Sequence, residues 1–487
     1  MKKVILGAAA LMIGAIGFAQ YTPDAPGAAG TIGNNSSSST ANTGESIQNG
    51  DNQKVKVRQV GTEQSAASYQ DNGAGIGSNQ AFIKQIGSVT GTSGYLNRAE
   101  VHQKGSTNES TQLQEGDNNS SLVNQGMTDM ASADNKVWAR QGTNEQAENN
   151  SLEVNQDGDR NESRTLQTYD NSEALVNQMG DDNAADIKQR AFSNGTEGHA
   201  AEVNQDGDRN QALIDQTGLG ARNEATTIQF GDDNSSYQIQ VATSSTAGEG
   251  NNALVTQGDG STTTQIETDL WTNGLLTVDD IDNGSFNPGS DGSIARQEQY
   301  GTNNAVEAQQ FGEDNQSYQI QGNFLSGSSD GNRALVVQNA YGSPAGGGNN
   351  AAQVQLGDDN DAAIGQNGND HTALQVQIGA DNVAMSTQRG QNNNANVWQF
   401  GNDSWATTAQ RGECNNAFIT QYDGQSYSVE QNLADGMPFG HNQADILQQG
   451  PNGTQVDGLY ECDLPDVDPG TYSPIGDLGL TDICPGC

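Results

Sequence analysis

The chain has 487 residues and carries 61 acidic against 20 basic side chains, a net charge of −41. That balance excludes nucleic acid and anionic membrane as partners, because both are held by clustered Lys and Arg. Only 32% of the residues are hydrophobic and 61 are Gly, so composition alone points to disorder rather than to an ordinary core.

Residues 1–19 read as a signal peptide. Lys2 and Lys3 precede an apolar run from Val4 to Phe18, and Gly17-Phe18-Ala19 has the small-x-small form of a signal peptidase site. No later stretch approaches the ~20 apolar residues needed to span a bilayer. With no Cys near the cleavage point, the mature chain is expected to start near Gln20, exported and soluble. Residues 20–41 form a low-complexity segment rich in Gly, Ser, Thr and Asn.

A repeat begins at Asn42, and disorder needs no register. Gln355, Gln366, Gln377, Gln388, Gln399, Gln410 and Gln421 follow one another at steps of eleven. Shorter runs with the same step include Gln156, Gln167, Gln178 and Gln189. The consensus is Asn-x-Ala-x-x-x-Gln-x-Gly-x-x, in roughly thirty copies, the scale of a solenoid or fibrous array. Copies fill residues 42–240 and 294–450, while 241–293 is an irregular insertion in which the register is mostly lost.

Alternate residues of a strand share a face. In one copy Asn210, Ala212, Ile214 and Gln216 point one way, against Gln211, Leu213 and Asp215. In another, Asn183, Ala185, Ile187 and Gln189 oppose Asp186 and Lys188. Charges avoid the Asn/Ala/Gln face, which is therefore expected to be buried. By the same parity Asn393 points inward, whereas Met385 and Asn396 point outward, where a change to Ser is expected to matter little.

Four residues make each corner, with Gly180, Gly231, Gly357, Gly379, Gly390, Gly401 and Gly412 supplying the conformations that turns require. A strand and a corner make half a flattened coil, so a coil takes about twenty-two residues. The inner position four after Asn alternates in places, as in Val397, Thr408 and Ile419, so the two walls are expected to be unequal. The expected fold is an all-β solenoid of two-strand coils, roughly eighteen of them and about 85 Å long at ~4.8 Å per coil. Stacking sets each inward Gln above the next, so amide donors and acceptors can bond in ladders. Proline agrees: between Gly27 and Met437 only Pro288 and Pro344 occur, both in breaks of the repeat.

The pattern Gln178-x-Gly180-x-x-Asn183-x-Ala185-x-x-x-Gln189, and again Gln388-x-Gly390-x-x-Asn393-x-Ala395-x-x-x-Gln399, resembles the curlin repeats of bacterial curli fibres. The resemblance covers the chain from about Asn42 to Gly450. It implies a secreted subunit that crosses the outer membrane unfolded and polymerises into cross-β fibres of the extracellular matrix, serving biofilm cohesion and surface adhesion. It also implies export and nucleation machinery as partners. The chain is longer than a usual curlin subunit. The insertion and the tail 451–487 leave open a main subunit, a nucleator or cap, or a monomeric capped adhesin that binds a surface or polysaccharide.

Other chemistry is weighed against structural explanations. No cofactor is expected; acidic corners such as Gly231-Asp232-Asp233 keep the chain soluble during export, with weak Ca²⁺ binding as the minority reading. His199 and His371 occupy the Asn position of the repeat and are expected to be structural substitutions rather than metal ligands. Cys462, Cys484 and Cys487 suggest a disulfide-tied C-terminal cap ahead of a metal knuckle, with the pairing left open. Outward Tyr237, Tyr318, Trp398, Trp405 and Phe418 are expected to pair along the sheet face ahead of binding sugars. No clustered basic or paired catalytic residues interrupt the repeats, so no enzyme is expected, and the outward positions lack the regular Thr stripe of an ice-binding solenoid.

Overall fold

The structure, a computed structural model, describes residues 42–449 except 73–76, 88–95, 127–131, 143–146, 192–196, 219–220, 245–249, 259–289, 323–328, 340–345 and 433–440. The leader, segment 20–41, Pro288, Pro344 and the tail with Cys462, Cys484 and Cys487 lie outside the described residues.

Runs of seven or eight residues such as Gln211–Gly218 and Glu224–Phe230 alternate buried positions with more exposed ones, and each forms a strand. Successive strands go to opposite walls. The first wall runs from Thr43–Asn49 through Ser65–Asp71 to Ser426–Gln431, and the second from Lys54–Val60 through Gln80–Ile86 to Gln443–Gln449. Each wall is one parallel sheet. The first has 15 strands; the second has 16, of which Ala147–Glu148 lies off the path, leaving fifteen. The register sets like on like: Gln366 pairs with Gln388, and Gln388 with Gln410. The molecule is a β-solenoid of stacked two-strand coils, with no helix among the described residues.

Fifteen coils replace the roughly eighteen expected, and at ~4.8 Å each they span about 70 Å. The expected number divided the repeat region evenly, but insertions consume part of it. Ladder partners Gln355 and Gln377 are 22 residues apart, whereas Gln321 and Gln355 are 34 apart and Gln240 and Gln299 are 59 apart. Inside the stretch 241–293, Asn252–Gln257 still forms a full rung between Glu224–Phe230 and Ala305–Gln310.

The slot between the walls is narrow and mixed. Along the first wall Val101, Val123, Val154, Val176 and Val203 are wholly buried, and Ile83, Ile187 and Ile214 answer from the second. The walls are unequal, as expected: where the first wall carries Val255, Val336 and Ile364, the second carries Gln297, Gln319, Gln353 and Gln375 at the equivalent position.

The outer faces differ from expectation. Met385 and Asn396 do face away from the slot, yet they are only 5% and 2% exposed. On the first wall Leu335, Val337 and Ala363 are buried with Met385. On the second, Tyr318, Ile320, Ala352, Val354, Leu374 and Val376 form a buried outer cluster. Glu153 and Arg164, by contrast, lie exposed on the outer face of the N-terminal half. A period of two assigns a residue to a face but says nothing of what covers that face, so Ser at Met385 or Asn396 would remove buried contacts.

The corners explain the glycines. Gly379 has φ +129, and a Cβ there would lie 1.9 Å from the carbonyl oxygen of Gly401 in the next coil. The other six predicted turn glycines also have positive φ, from 90° at Gly401 to 119° at Gly357. Substituting Gly379→Ala combines backbone strain with a clash against main chain. It should lower stability by about 2 kcal/mol or more in urea unfolding; an unchanged midpoint would refute the close approach of the coils.

Candidate functional site

A Gln side chain offers two N–H donors and a carbonyl acceptor. The register delivers all of them to partners. Gln388 Nε2 donates to Oε1 of Gln410 in the next coil at 3.0 Å and to the carbonyl of Thr372 on the facing wall at 2.9 Å, while its own Oε1 accepts from Gln366. Gln399 likewise donates to Gln421 and to the carbonyl of Val383, and accepts from Gln377.

The pattern is unbroken. On the first wall the ladder runs Gln48, Gln70, Gln103, Gln125, Gln156, Gln178, Gln205, Gln229, Gln257, Gln310, Gln338, Gln366, Gln388, Gln410, Gln431. On the second it runs Gln59, Gln85, Gln114, Gln141, Gln167, Gln189, Gln216, Gln240, Gln299, Gln321, Gln355, Gln377, Gln399, Gln421, Gln448. Every predicted ladder Gln is therefore in place.

The Asn of each copy works differently, through main chain. Asn183 Oδ1 accepts the N–H of Asn210 at 3.0 Å, and its Nδ2 donates to the carbonyl of Gly207 at 2.7 Å. Asn210 repeats this with Asn234 and Gly231, and Asn393 with Asn415 and Gly412. Asn thus ties each corner to the corner of the next coil, where the carbonyls and N–H groups would otherwise be unpaired.

His199 and His371 fill this Asn role with an imidazole. His371 Nδ1 accepts the N–H of Asn393 at 3.3 Å and its Nε2 donates to the carbonyl of Asn367 at 3.2 Å; His199 does the same with Asn223 and Arg190. This geometry needs the neutral ring. Burial pushes both down to about 4, aided at His199 by the charge of Arg222.

The acidic corners are also accounted for by main chain. Asp181 Oδ1 accepts the N–H of Asp159, Asp208 that of Asp181, and Asp232 that of Asp208, each at 2.8 Å. The second acid of the corner takes the left-handed backbone, with φ 58° at Asp182 and 57° at Asp233. Two such acids are gripped by Arg160 and Arg209 of the preceding coil. Among the described residues no group of three or more His, Cys, Asp or Glu could hold a metal ion. Cys414 takes the left-handed corner position in its copy, with a free thiol.

Part of the outer aromatic set makes contacts along the sheet. Phe400 stacks on Tyr422 at 5.2 Å and lies beside Trp398, while the Arg296 guanidinium lies over both Tyr237 and Tyr318.

Two networks escaped the reading of the eleven-residue cycle. A second inward ladder runs from Gln238 through Gln297, Gln319 and Gln353 to Gln375, and ends on the Ser386 hydroxyl. An outward asparagine ladder links Asn124, Asn155, Asn177 and Asn204. Both are visible at a spacing of a whole coil rather than half of one, as in Gln297 and Gln319 or Asn155 and Asn177.

The fold and these networks define a class: a parallel two-walled β-solenoid whose interior is held by stacked amides. No protein-family model matches the chain, and no curated protein matches it.

Replacing Gln388 and Gln399 with Leu keeps bulk but leaves Gln366, Gln410, Gln377 and Gln421 with unmatched groups. The loss should be at least ~2 kcal/mol, against ~0.5 kcal/mol or less for Gln391→Ser, whose side chain is exposed on the same strand as Gln388. Equal losses in chemical denaturation would rule out the ladder as the source of stability.

Acid should act through His199 and His371. Their folded values of about 4 lie below an unfolded value near 6.5. Stability is therefore complete above pH 6.5 and drains away as pH falls from 6.5 towards 4. Between pH 7.5 and 5 each His should cost about 2 kcal/mol. The double variant His199→Asn, His371→Asn restores the consensus amide and should flatten that part of the pH–stability curve; an unaltered slope would place the proton uptake elsewhere.

Proposed function

We propose that this chain is a secreted structural protein that polymerises into curli-like cross-β fibres of an extracellular matrix, for cohesion of a biofilm and adhesion to surfaces. It acts by self-association rather than by catalysis, and reaches the cell surface through an outer-membrane export and nucleation system of the kind curlin subunits use. The observation that carries this reading is that two amide ladders run through the whole stack and, among the described residues, arrive unfinished at both ends. In the first coil the inward Val57 is 39% exposed, whereas Ile83 directly above it is wholly buried. In the last coil the inward Tyr427 is 38% exposed, against 0% for Ala406 beneath it. Edge strands with open main-chain groups and open side-chain ladders are templates for another copy.

The repeat resemblance supports the same reading, as does the charge distribution. Acidic side chains concentrated at corners and outer faces keep a chain soluble before assembly without entering the slot.

The chain lacking residues 1–19, incubated at neutral pH, should raise thioflavin fluorescence with a lag and give unbranched filaments with strands across the long axis. A species that stays monomeric at high concentration for days would refute polymerisation and favour the capped adhesin.

A further inference from the structure

The two ends of the solenoid are not alike, and they complement each other. Within the stack every ladder Gln donates towards the C-terminal end: Gln48 to Gln70, Gln59 to Gln85, Gln410 to Gln431 and Gln421 to Gln448. The first coil thus presents Oε1 of Gln48 and Gln59, with no earlier coil among the described residues to donate to them. The last coil presents Nε2 of Gln431 and Gln448, each with one N–H used, on the carbonyls of Asn416 and Ser426. The corner bonds that the Asn Oδ1 atoms accept run the other way, from the N–H of the later coil back to the earlier one. Asn415 Oδ1 accepts the N–H of Asn442, which leaves the Oδ1 of Asn442 facing the open end.

Charge is distributed likewise. The outward face of Lys54–Val60 carries Lys54, Lys56 and Arg58, which have no acidic partner among the described residues. The neighbouring strand offers Gln80, Phe82 and Lys84, and Lys56 lies over the Phe82 ring at 5.4 Å. Among the described residues, the side of these cations away from Gln80, Phe82 and Lys84 is the open edge. At the other end Asp445 stands on the outward face of Gln443–Gln449, bonded to Gln443 and flanked by Phe418, with no cation paired to it among the described residues.

Shape follows the same rule. The inward column of the first wall contains Ala66, Ala99, Ala174, Ala201, Ala362, Ala384 and Ala406, with Gly44 at its start and Tyr427 at its end. Its smallest and largest members sit at opposite termini.

Resting on the fibre reading above, we infer that copies join head to tail in a single register, the last coil of one chain seating on the first coil of the next. On the second wall Ala444, Asp445, Ile446 and Gln448 then lie over Val55, Lys56, Val57 and Gln59. On the first wall Tyr427 and Gln431 lie over Gly44 and Gln48. Gln431 and Gln448 donate to Gln48 and Gln59, so both ladders cross the junction unbroken. Asp445 pairs with Lys56, diagonal to Lys54 and Arg58. Tyr427 enters the space that Gly44 leaves. The filament is polar, because only one pairing of ends matches donors to acceptors.

The test is a charge swap at the junction in the chain lacking residues 1–19. Lys56→Glu and Asp445→Lys should each slow filament growth by about ten-fold at low salt, and the two together should restore it to within about three-fold of the parent. Both positions lie in exposed terminal coils, and an unchanged far-UV spectrum and melting temperature certify that each variant folds. If the parent forms filaments and the single variants match its rate, or if the double variant fails to recover, this junction is wrong while polymerisation stands. If the parent itself forms none, the fibre reading and the junction fall together.

Discussion

The rest of the structure depends on one nitrogen per half-coil. The Nε2 of each ladder Gln carries two N–H groups. One bonds up the stack to the next Gln, and the other bonds across the slot to the main chain of the facing wall, as Gln377 does to Gln399 and to Asp361. Stack and walls are therefore fixed by the same atom, and neither bond can be kept if the coil spacing or the wall register shifts. Hydrophobic columns of Ala, Val and Ile fill the remaining slot, but with side chains this small they supply modest burial per coil. The price of a polar interior is strict periodicity: an amide out of register is a buried amide without a partner.

That constraint decides where the chain can tolerate change. Extra residues enter at corners, where the strand register is not disturbed. The 59-residue separation of Gln240 and Gln299 leaves their bond at 2.8 Å, the same as between Gln85 and Gln114. Charges are driven to the same places. An Asp at a corner can accept a main-chain N–H from the neighbouring coil and hold its other oxygen in water, whereas an ionised group in the slot would lose its hydration. The neutral amide core thus decides where the 61 acidic and 20 basic side chains can stand.

Stacked identical side chains also give the molecule a direction. A ladder of donors and acceptors must begin with an unused acceptor and finish with an unused donor, so the two ends of a solenoid differ even where its coils are alike. A globular domain closes its hydrogen bonds on itself; the amide ladders of this architecture continue from coil to coil along the stack. The buried outer cluster around Val354 and Val376 is a separate matter, because it holds neither wall to the other and plays no part in the ladders.

Much of this was legible in the sequence, because the eleven-residue step and the strand period of two are both local. Together they assign Gln388 and Asn393 to the inside, Gly390 to a corner, and His371 to the place of an Asn, and all four stand there. What was not legible depends on residues far apart in the chain. The number of coils turned on where insertions leave the register, which no spacing rule reveals when Asn252–Gln257 resumes the ladder alone between two insertions. Met385 and Asn396 have the outward parity that the period assigns, but burial is a property of what lies over a face, and only the folded molecule supplies that. The second glutamine ladder from Gln238 to Gln375 was hidden because its members alternate with Val255, Ala308, Val336 and Ile364 of the other wall, so it repeats by whole coils and is silent at half a coil. The sequence by itself determined the unit, its faces and its corners, since these are set by backbone geometry within eleven residues. Only the tertiary structure decided which amide meets which, how many coils form and which outer faces are covered, since those are contacts between turns of the chain.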